Sequence, residues 1–205
     1  MYRFSIVGIG PGSIDYLLPA AKREVELADV IVGGHRQLEL FTYTDLPTFC
    51  LDGRFSEVVD FVQKNRDKKR IAVLVSGDPG FYSLMGLIER KFPKDDYTIT
   101  PGLSSMQIAF SRIKIQWKDA NIFSLHGKHL DSMDKYIFSK KPLGILTDYK
   151  NTPFSIASYM KKKAAENRKV FIAENLSYPE ERIIETDIYT IRKGDTYKIC
   201  IMIIV

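Results

Sequence analysis

Cysteine and histidine are both scarce. Cys50 and Cys200 lie far apart in the sequence and make no C-x-x-C pair, and the three histidines are scattered. This leaves neither a disulfide framework nor a metal-ligand spacing, so no protein-bound metal is expected and a reducing cytoplasm is the default compartment. No apolar run approaches the roughly 20 residues that span a bilayer. The longest, Ile199 to Val205, is strand-sized, so no membrane role is expected. The first residues lack a basic segment followed by an apolar stretch and a small-residue cleavage site, and no secretory signal is expected there. Repeats and low-complexity segments are absent as well.

An excess of charge is missing from residues 1–113, which hold 14 Lys/Arg and 14 Asp/Glu. Residues 114–205 hold 16 and 11 and so carry the whole net charge of +5. Much of that excess is lysine, including Lys161-Lys162-Lys163. It reads either as a solvated surface or as attraction for an anionic partner such as a polycarboxylate or a nucleic acid. No arginine-rich, aromatic-interleaved stripe of the kind that tracks RNA is present, so no nucleic-acid partner is expected. The 205 residues, 45% apolar and 27% charged, suffice for one large or two small domains with a real core.

The informative stretch is residues 71–82. Ile71 to Val75 is a short apolar run of the kind that forms a parallel strand buried on both faces. It breaks at Ser76-Gly77-Asp78-Pro79-Gly80, and the spacing from Phe81 to Phe92 suits a helix. Ligands of open α/β sheets sit outside the carboxyl ends of the strands. There Gly77 and Gly80 permit close backbone approach and Pro79 fixes the turn, while Asp78 is either a ligand contact or a plain cap.

Two further turns follow the same grammar. Arg3 to Ile9 reads as a strand running into Gly8-Ile9-Gly10-Pro11-Gly12, and Tyr97 to Thr100 as a strand leading to Pro101-Gly102-Leu103-Ser104-Ser105 and a helix. The first resembles a dinucleotide fingerprint but fails it. Its third glycine falls at Ser13, Pro11 stiffens the loop, and no acidic residue follows the second strand, Val30 to Val32. NAD is therefore not expected.

Leu18, Ala21, Val25 and Ala28 mark one helix, with the Asp15 region as its cap. Phe55, Val58, Val59 and Val62 mark another, and Arg36 to Phe41 a short one. Residues 113–118 look like a connection, which sets an N-terminal α/β domain at 1–113 and a C-terminal one at 114–205. In the second, Ala120 to Leu125, Leu143 to Thr147 and Val170 to Ala173 read as strands, Met133 to Phe138 as a short helix, and Thr152-Pro153 as a helix start. Arg182 to Thr186 and Tyr197 to Val205 read as antiparallel strands that close the second sheet.

The three glycine-rich turns, in this order and spacing, resemble the signature of the tetrapyrrole (corrin/porphyrin) methylases, which use S-adenosylmethionine. Val32-Gly33-Gly34-His35-Arg36, Gly77-Asp78-Pro79-Gly80-Phe81-Tyr82, Ser104-Ser105-Met106-Gln107 and Ser124-Leu125-His126-Gly127 are similar to the stand-alone CbiE type within that class. The resemblance implies a two-domain α/β tetrapyrrole methylase fold, commonly a homodimer, with the cofactor cleft between the domains. It implies methylation of C5 of a (cobalt-)precorrin in cobalamin biosynthesis, with S-adenosylhomocysteine as product. A separate CbiT-type decarboxylating methyltransferase is then the functional partner.

Carried over by motif, the cofactor-binding positions are Pro11, Gly77, Asp78, Phe81, Ser104 and Ser105, with Thr147 and Leu176 in the second domain. Gly10, Arg36 and Lys128 are the substrate-binding candidates. Lys128 stands where arginine is expected, keeping the charge without the bidentate fork. Arg36 and Lys128 either pair with substrate carboxylates or are solvated. Methyl transfer from a sulfonium requires no protein nucleophile. A base for a proton released on rearrangement would be His126, His35 or Asp15, whose plainer role is a loop hydrogen bond. A same-fold methylase acting on another ring carbon, on ribosomal RNA or on a translation factor stays open, as does a non-catalytic nucleotide-binding protein.

Overall fold

The structure, a computed structural model, describes residues 4–51, 53 and 56–205. The chain forms two compact units, one ending at Ser104 and the other beginning at Ser105. The first is built on strands β1 (Phe4–Gly8), β2 (Val30–Gly33), β3 (Thr48–Cys50), β4 (Ile71–Val75) and β5 (Tyr97–Thr100). They are all parallel, in the order β3-β2-β4-β1-β5. Every residue of β1, β2 and β4 is buried, as strands covered on both faces require; Ser5 of β1 is polar and directs its hydroxyl to Ile71 O at 3.5 Å.

Alternation along these strands feeds two separate cores. Ile6, Val32 and Val73 face helix α3 (Ser56–Asn65) through Val58, Val59 and Val62. Val7, Ile31 and Leu74 face helix α1 (Pro19–Glu26) through Ala21 and Val25, with Leu38 of helix α2 (His35–Glu39) packed against the same cluster. Each such aliphatic side chain contributes about 1.5–3 kcal/mol on burial. Because the strands are parallel, the turns after β1, β2, β4 and β5 gather at one edge of the sheet.

The second unit contains α5 (Ser105–Arg112), β6 (Asn121–Ser124), α6 (Asp134–Ile137), β7 (Leu143–Leu146), α7 (Pro153–Lys162), β8 (Lys169–Glu174), β9 (Arg182–Asp187) and β10 (Cys200–Ile204). Its sheet runs β6-β7-β10-β8-β9, with β9 and β10 antiparallel to the others. The two terminal strands are antiparallel as expected, but they occupy different places. β9 is a half-exposed edge, while β10, wholly buried and without polar alternation, lies in the centre between β7 and β8.

Several expectations are corrected. The helix expected over 81–92 shrinks to α4 (Met85–Glu89), because Tyr82 takes a left-handed φ of 50° that no helix accommodates. Asp15 does not cap α1. It lies in a 3-10 turn capped by Ser13, and α1 starts at Pro19 with Leu18 at the N-cap. Strand β3 was not anticipated, being too short for its alternation to register. Arg3 and Phe55 lie outside the described residues.

Thr152 does cap α7, its side chain accepting the Ser155 N–H at 3.2 Å. The units part at 104/105 rather than 113/114 because α5 packs on the second sheet. Met106 and Phe110 press so closely on Gly144 of β7 that a Cβ there would meet Met106 Sδ at 2.7 Å and Phe110 Cε2 at 3.0 Å. Gly144→Ala is therefore expected to destabilise the second unit by about 1–3 kcal/mol through overpacking, read as a lower urea midpoint.

Candidate functional site

At the carboxyl edge of the first sheet, three turns are fastened to one another by their backbones. Gly77 N–H donates to Gly10 O at 2.7 Å and Gly10 N–H to Gly77 O at 3.3 Å. The turn after β5 is closer still, since a Cβ on Gly102 would lie 2.2 Å from Gly77 O and 2.7 Å from the Gly8 carbonyl carbon. Only glycine tolerates that approach. Gly77 is needed for a second reason: its φ of +71° is left-handed, whereas the space beyond it is open to 3.6 Å. Gly8 and Gly102 serve contact between turns.

Asp78 reinforces the same junction. Its Oδ1 accepts the Gly80 N–H at 2.8 Å and its Oδ2 accepts the Gly102 N–H at 3.0 Å. The carboxylate thus caps its own turn and ties it to the next one. The turn after β2 joins through Gln37, whose Nε2 donates to Ser76 Oγ at 2.9 Å. Pro11 and Ser104 are buried at this edge, Phe81 and Ser105 are half-buried, and His35, Arg36 and Asp15 are exposed. Asp15 accepts a hydrogen bond from the Ser13 hydroxyl at 3.3 Å. The turns bearing Asp15 and His35 follow β1 and β2, which β4 separates.

The second sheet also gathers loops at one edge, but fixes them with side chains. Asp148 accepts the Gly127 N–H at 2.7 Å, the Lys150 N–H at 2.8 Å and the Asn151 N–H at 2.6 Å. Burial raises its pKa, but these three donors together with His126 outweigh that and hold the carboxyl below its ordinary range. The buried Asn151 donates through Nδ2 to Leu125 O at 2.7 Å and Lys128 O at 2.9 Å. The 125–129 loop is rigid as a result, while His126 and Lys128 themselves are exposed.

Thr147 donates its hydroxyl to Cys200 O at 2.6 Å, clamping β7 to β10, and Leu176 is buried. Cys200 is buried beneath this clamp and its thiol is pushed up to about 11 by desolvation, which makes it inert as a nucleophile. At the end of β8, Glu174 is 3% exposed. It is ion-paired with Arg182 and accepts the Lys198 N–H at 2.6 Å. Burial opposes its ionisation, yet the Lys198 amide and Arg182 keep its pKa below the ordinary value. Sequence reasoning missed Asp148, Asn151 and Glu174 as organisers. Their only local signal is a polar residue at the end of an apolar strand or within a few positions of it.

Among the described residues, no group of three or more His, Cys, Asp or Glu is placed to hold a metal ion. No helix there is long and apolar enough to cross a membrane.

Residues 3–192 match the family model of the Tetrapyrrole (Corrin/Porphyrin) Methylases. A probable cobalt-precorrin-7 C(5)-methyltransferase from Methanocaldococcus jannaschii is 34% identical over 203 residues, covering 93% of this chain and 92% of that protein. The cobalt-precorrin-7 C(5)-methyltransferase of Salmonella typhimurium is 29% identical over 179 residues, 87% and 88% of the two chains. Among solved structures, a cobalamin biosynthesis precorrin-6Y methylase from Archaeoglobus fulgidus shares the fold with a TM-score of 0.79 at 24% identity, covering 100% of this chain and 98% of that one. A uroporphyrin-III C-methyltransferase from Thermus thermophilus complexed with S-adenosyl homocysteine gives a TM-score of 0.79 at 17% identity, covering 98% and 96%.

Two outcomes follow from the geometry of the two edges. Asp78→Ala leaves two turn amides without their acceptor and is expected to cost about 1–3 kcal/mol in a urea titration, with Asp78→Asn recovering part through its remaining carbonyl oxygen. Glu174 titrates lower folded than unfolded. The stability it lends is therefore complete above its unfolded pKa of about 4.3 and is lost as pH falls through the lower folded value. Glu174→Gln should flatten that acid limb of the stability–pH curve; an unchanged slope would exclude this role.

Proposed function

The chain belongs to the tetrapyrrole (corrin/porphyrin) methylases, and from that membership we propose that it methylates C5 of a (cobalt-)precorrin in cobalamin biosynthesis, as an S-adenosylmethionine-dependent C-methyltransferase. The reading is carried by likeness, along nearly the whole of both chains, to a relative named for that reaction. The donor set of the first edge fits the cofactor. S-adenosylmethionine needs flat apolar walls for adenine and polar partners for its ribose and amino-acid ends. The turn after β4 offers half-buried Phe81, and the turn after β5 offers half-buried Ser105 next to Ser104.

When bound, the cofactor supplies a methyl group on a sulfonium that departs as a neutral thioether. The protein's share is orientation and exclusion of water. In this reading Gly77, Asp78, Phe81, Ser104, Ser105 and Pro11 of the first edge hold the cofactor. Asp78 acts by fixing the turns, since its carboxylate oxygens already accept the Gly80 and Gly102 amides. Thr147 and Leu176 are its proposed second-unit positions; Thr147 would act through its backbone, because its hydroxyl donates to Cys200 O. Gly10 enters as turn backbone beside the substrate.

Arg36 and Lys128, both exposed cations, are assigned to substrate carboxylates, Lys128 as a point charge rather than a fork. A proton released on ring rearrangement would go to His126, His35 or Asp15. A homodimer, a cytoplasmic location and a decarboxylating methyltransferase as functional partner belong to the same proposal.

The decisive assay gives purified protein labelled S-adenosylmethionine and (cobalt-)precorrin substrates, with mass and NMR readout. One methyl at C5 is expected, and a methyl at another carbon would overturn the regiochemistry. Gly77→Arg places a large side chain where a Cβ has 3.6 Å of clearance, at a left-handed backbone cost of roughly 1–2 kcal/mol. It should remain folded and lose S-adenosylhomocysteine binding in calorimetry; retained affinity would refute the assigned pocket.

A further inference from the structure

The loop after β8 holds an unusual conformation by an unusual number of ties. Asn175 and Ser177 are both left-handed, with φ of 50° and 72°. They flank Leu176, which is only 6% exposed. Two non-glycine residues in that region persist only where their surroundings impose it. On one side Asn175 N–H donates to Ile199 O at 2.9 Å. On the other, Ser177 N–H donates to Glu181 Oε2 at 2.7 Å.

Glu181 is itself gripped by the guanidinium of Arg112. Nε of Arg112 donates to Oε1, and Nη2 donates to Oε2 at 3.4 Å. Arg112 is the last residue of α5, and Ser105 is the first. A rod of eight residues, about 12 Å long, therefore runs from Ser105 to an ion pair that sets the loop carrying Leu176.

We propose that the Arg112–Glu181 pair is a positioning brace, which keeps Leu176 in register with Ser105 so that both meet the same cofactor. The inference rests on the S-adenosylmethionine reading above. A two-point guanidinium–carboxylate contact fixes angle as well as distance, which a single hydrogen bond to a loop amide does not. The hydrogen bond from Arg112, with that from the Ser177 amide, outweighs desolvation and keeps the Glu181 carboxyl below the ordinary range, so the brace is charged at neutral pH. Without it the loop samples conformations that do not bind, and apparent affinity falls with the competent fraction.

The test is calorimetry of S-adenosylhomocysteine with the full chain, comparing wild type, Arg112→Ala, Arg112→Lys, Glu181→Gln and the double variant Arg112→Ala/Glu181→Gln. Arg112→Ala and Glu181→Gln are each expected to weaken binding about fivefold or more. The double variant should be no worse than the weaker single, because both remove one interaction. Arg112→Lys should recover part of the loss. In turnover, KM for the methyl donor should rise with kcat nearly unchanged.

Lys140→Ala breaks an ion pair whose partners are 76% and 71% exposed, and should leave affinity at the wild-type value. Wild-type affinity in Arg112→Ala, or additive losses in the double variant, would overturn the brace while leaving the cofactor reading intact. A folded wild type that binds no S-adenosylhomocysteine would overturn both. Should Arg112→Ala fail to fold, Arg112→Lys and Glu181→Gln decide the same question.

Discussion

Contact between backbones at a distance no side chain survives is the constraint on which the first unit depends. With a Cβ on Gly102 placed only 2.2 Å from Gly77 O, the turns after β4 and β5 close on each other and on Gly8 as bare main chain. The strand order makes this possible, because β4, β1 and β5 are neighbours and parallel, so their carboxyl ends emerge side by side. The edge is therefore an assembly of three turns rather than three independent loops. Asp78 sits at its centre as a crosslink between amides.

The second unit reaches a comparable rigidity by the opposite means. Its edge loops are spaced apart, and polar side chains cross the gaps: Asp148 and Asn151 to the loop after β6, Glu174 to the segment before β10, Glu181 to the loop after β8. Each is an acceptor or amide directed at backbone groups. For the carboxylates the cost of burial is offset by charge-assisted bonds, which are about twice as strong as neutral ones; for Asn151 it is offset by two neutral bonds to backbone carbonyls. Central β10 explains why such bracing is needed. A strand running antiparallel between β7 and β8 brings chain from residues 197–199 to the very edge where the loops after β7 and β8 leave.

What could be read from the sequence was what periodicity or turn chemistry encodes locally. Ile71 to Val75 announces a doubly covered strand, and Thr152-Pro153 announces a helix start, because both signals are complete within a few residues. The central place of β10 was not legible, since its partners Leu146 and Ala173 lie far off in sequence and its apolar run fits an edge or a centre alike. The long helix expected after Phe81 failed because periodicity does not register a single left-handed residue such as Tyr82. The glycine-rich turns were legible, but the packing of Gly8 and Gly102 against neighbouring turns was not, as contact between turns 24 or more residues apart leaves no local pattern. Arg112 and Glu181, 69 residues apart, were invisible for the same reason.

The distribution of order in the molecule bears on its chemistry. The candidates for moving a proton, Asp15, His35 and His126, are all exposed, whereas Asp78, Asp148, Glu174 and Glu181 are committed to holding backbone. A fold organised around a protein nucleophile would concentrate its bracing on that side chain and on the base beside it. Here the bracing converges on turns and loops whose own atoms take part in no bond change. That allocation suits a reaction in which the cofactor carries the electrophile and the protein contributes alignment, where a displacement of about 1 Å is worth a hundredfold in rate.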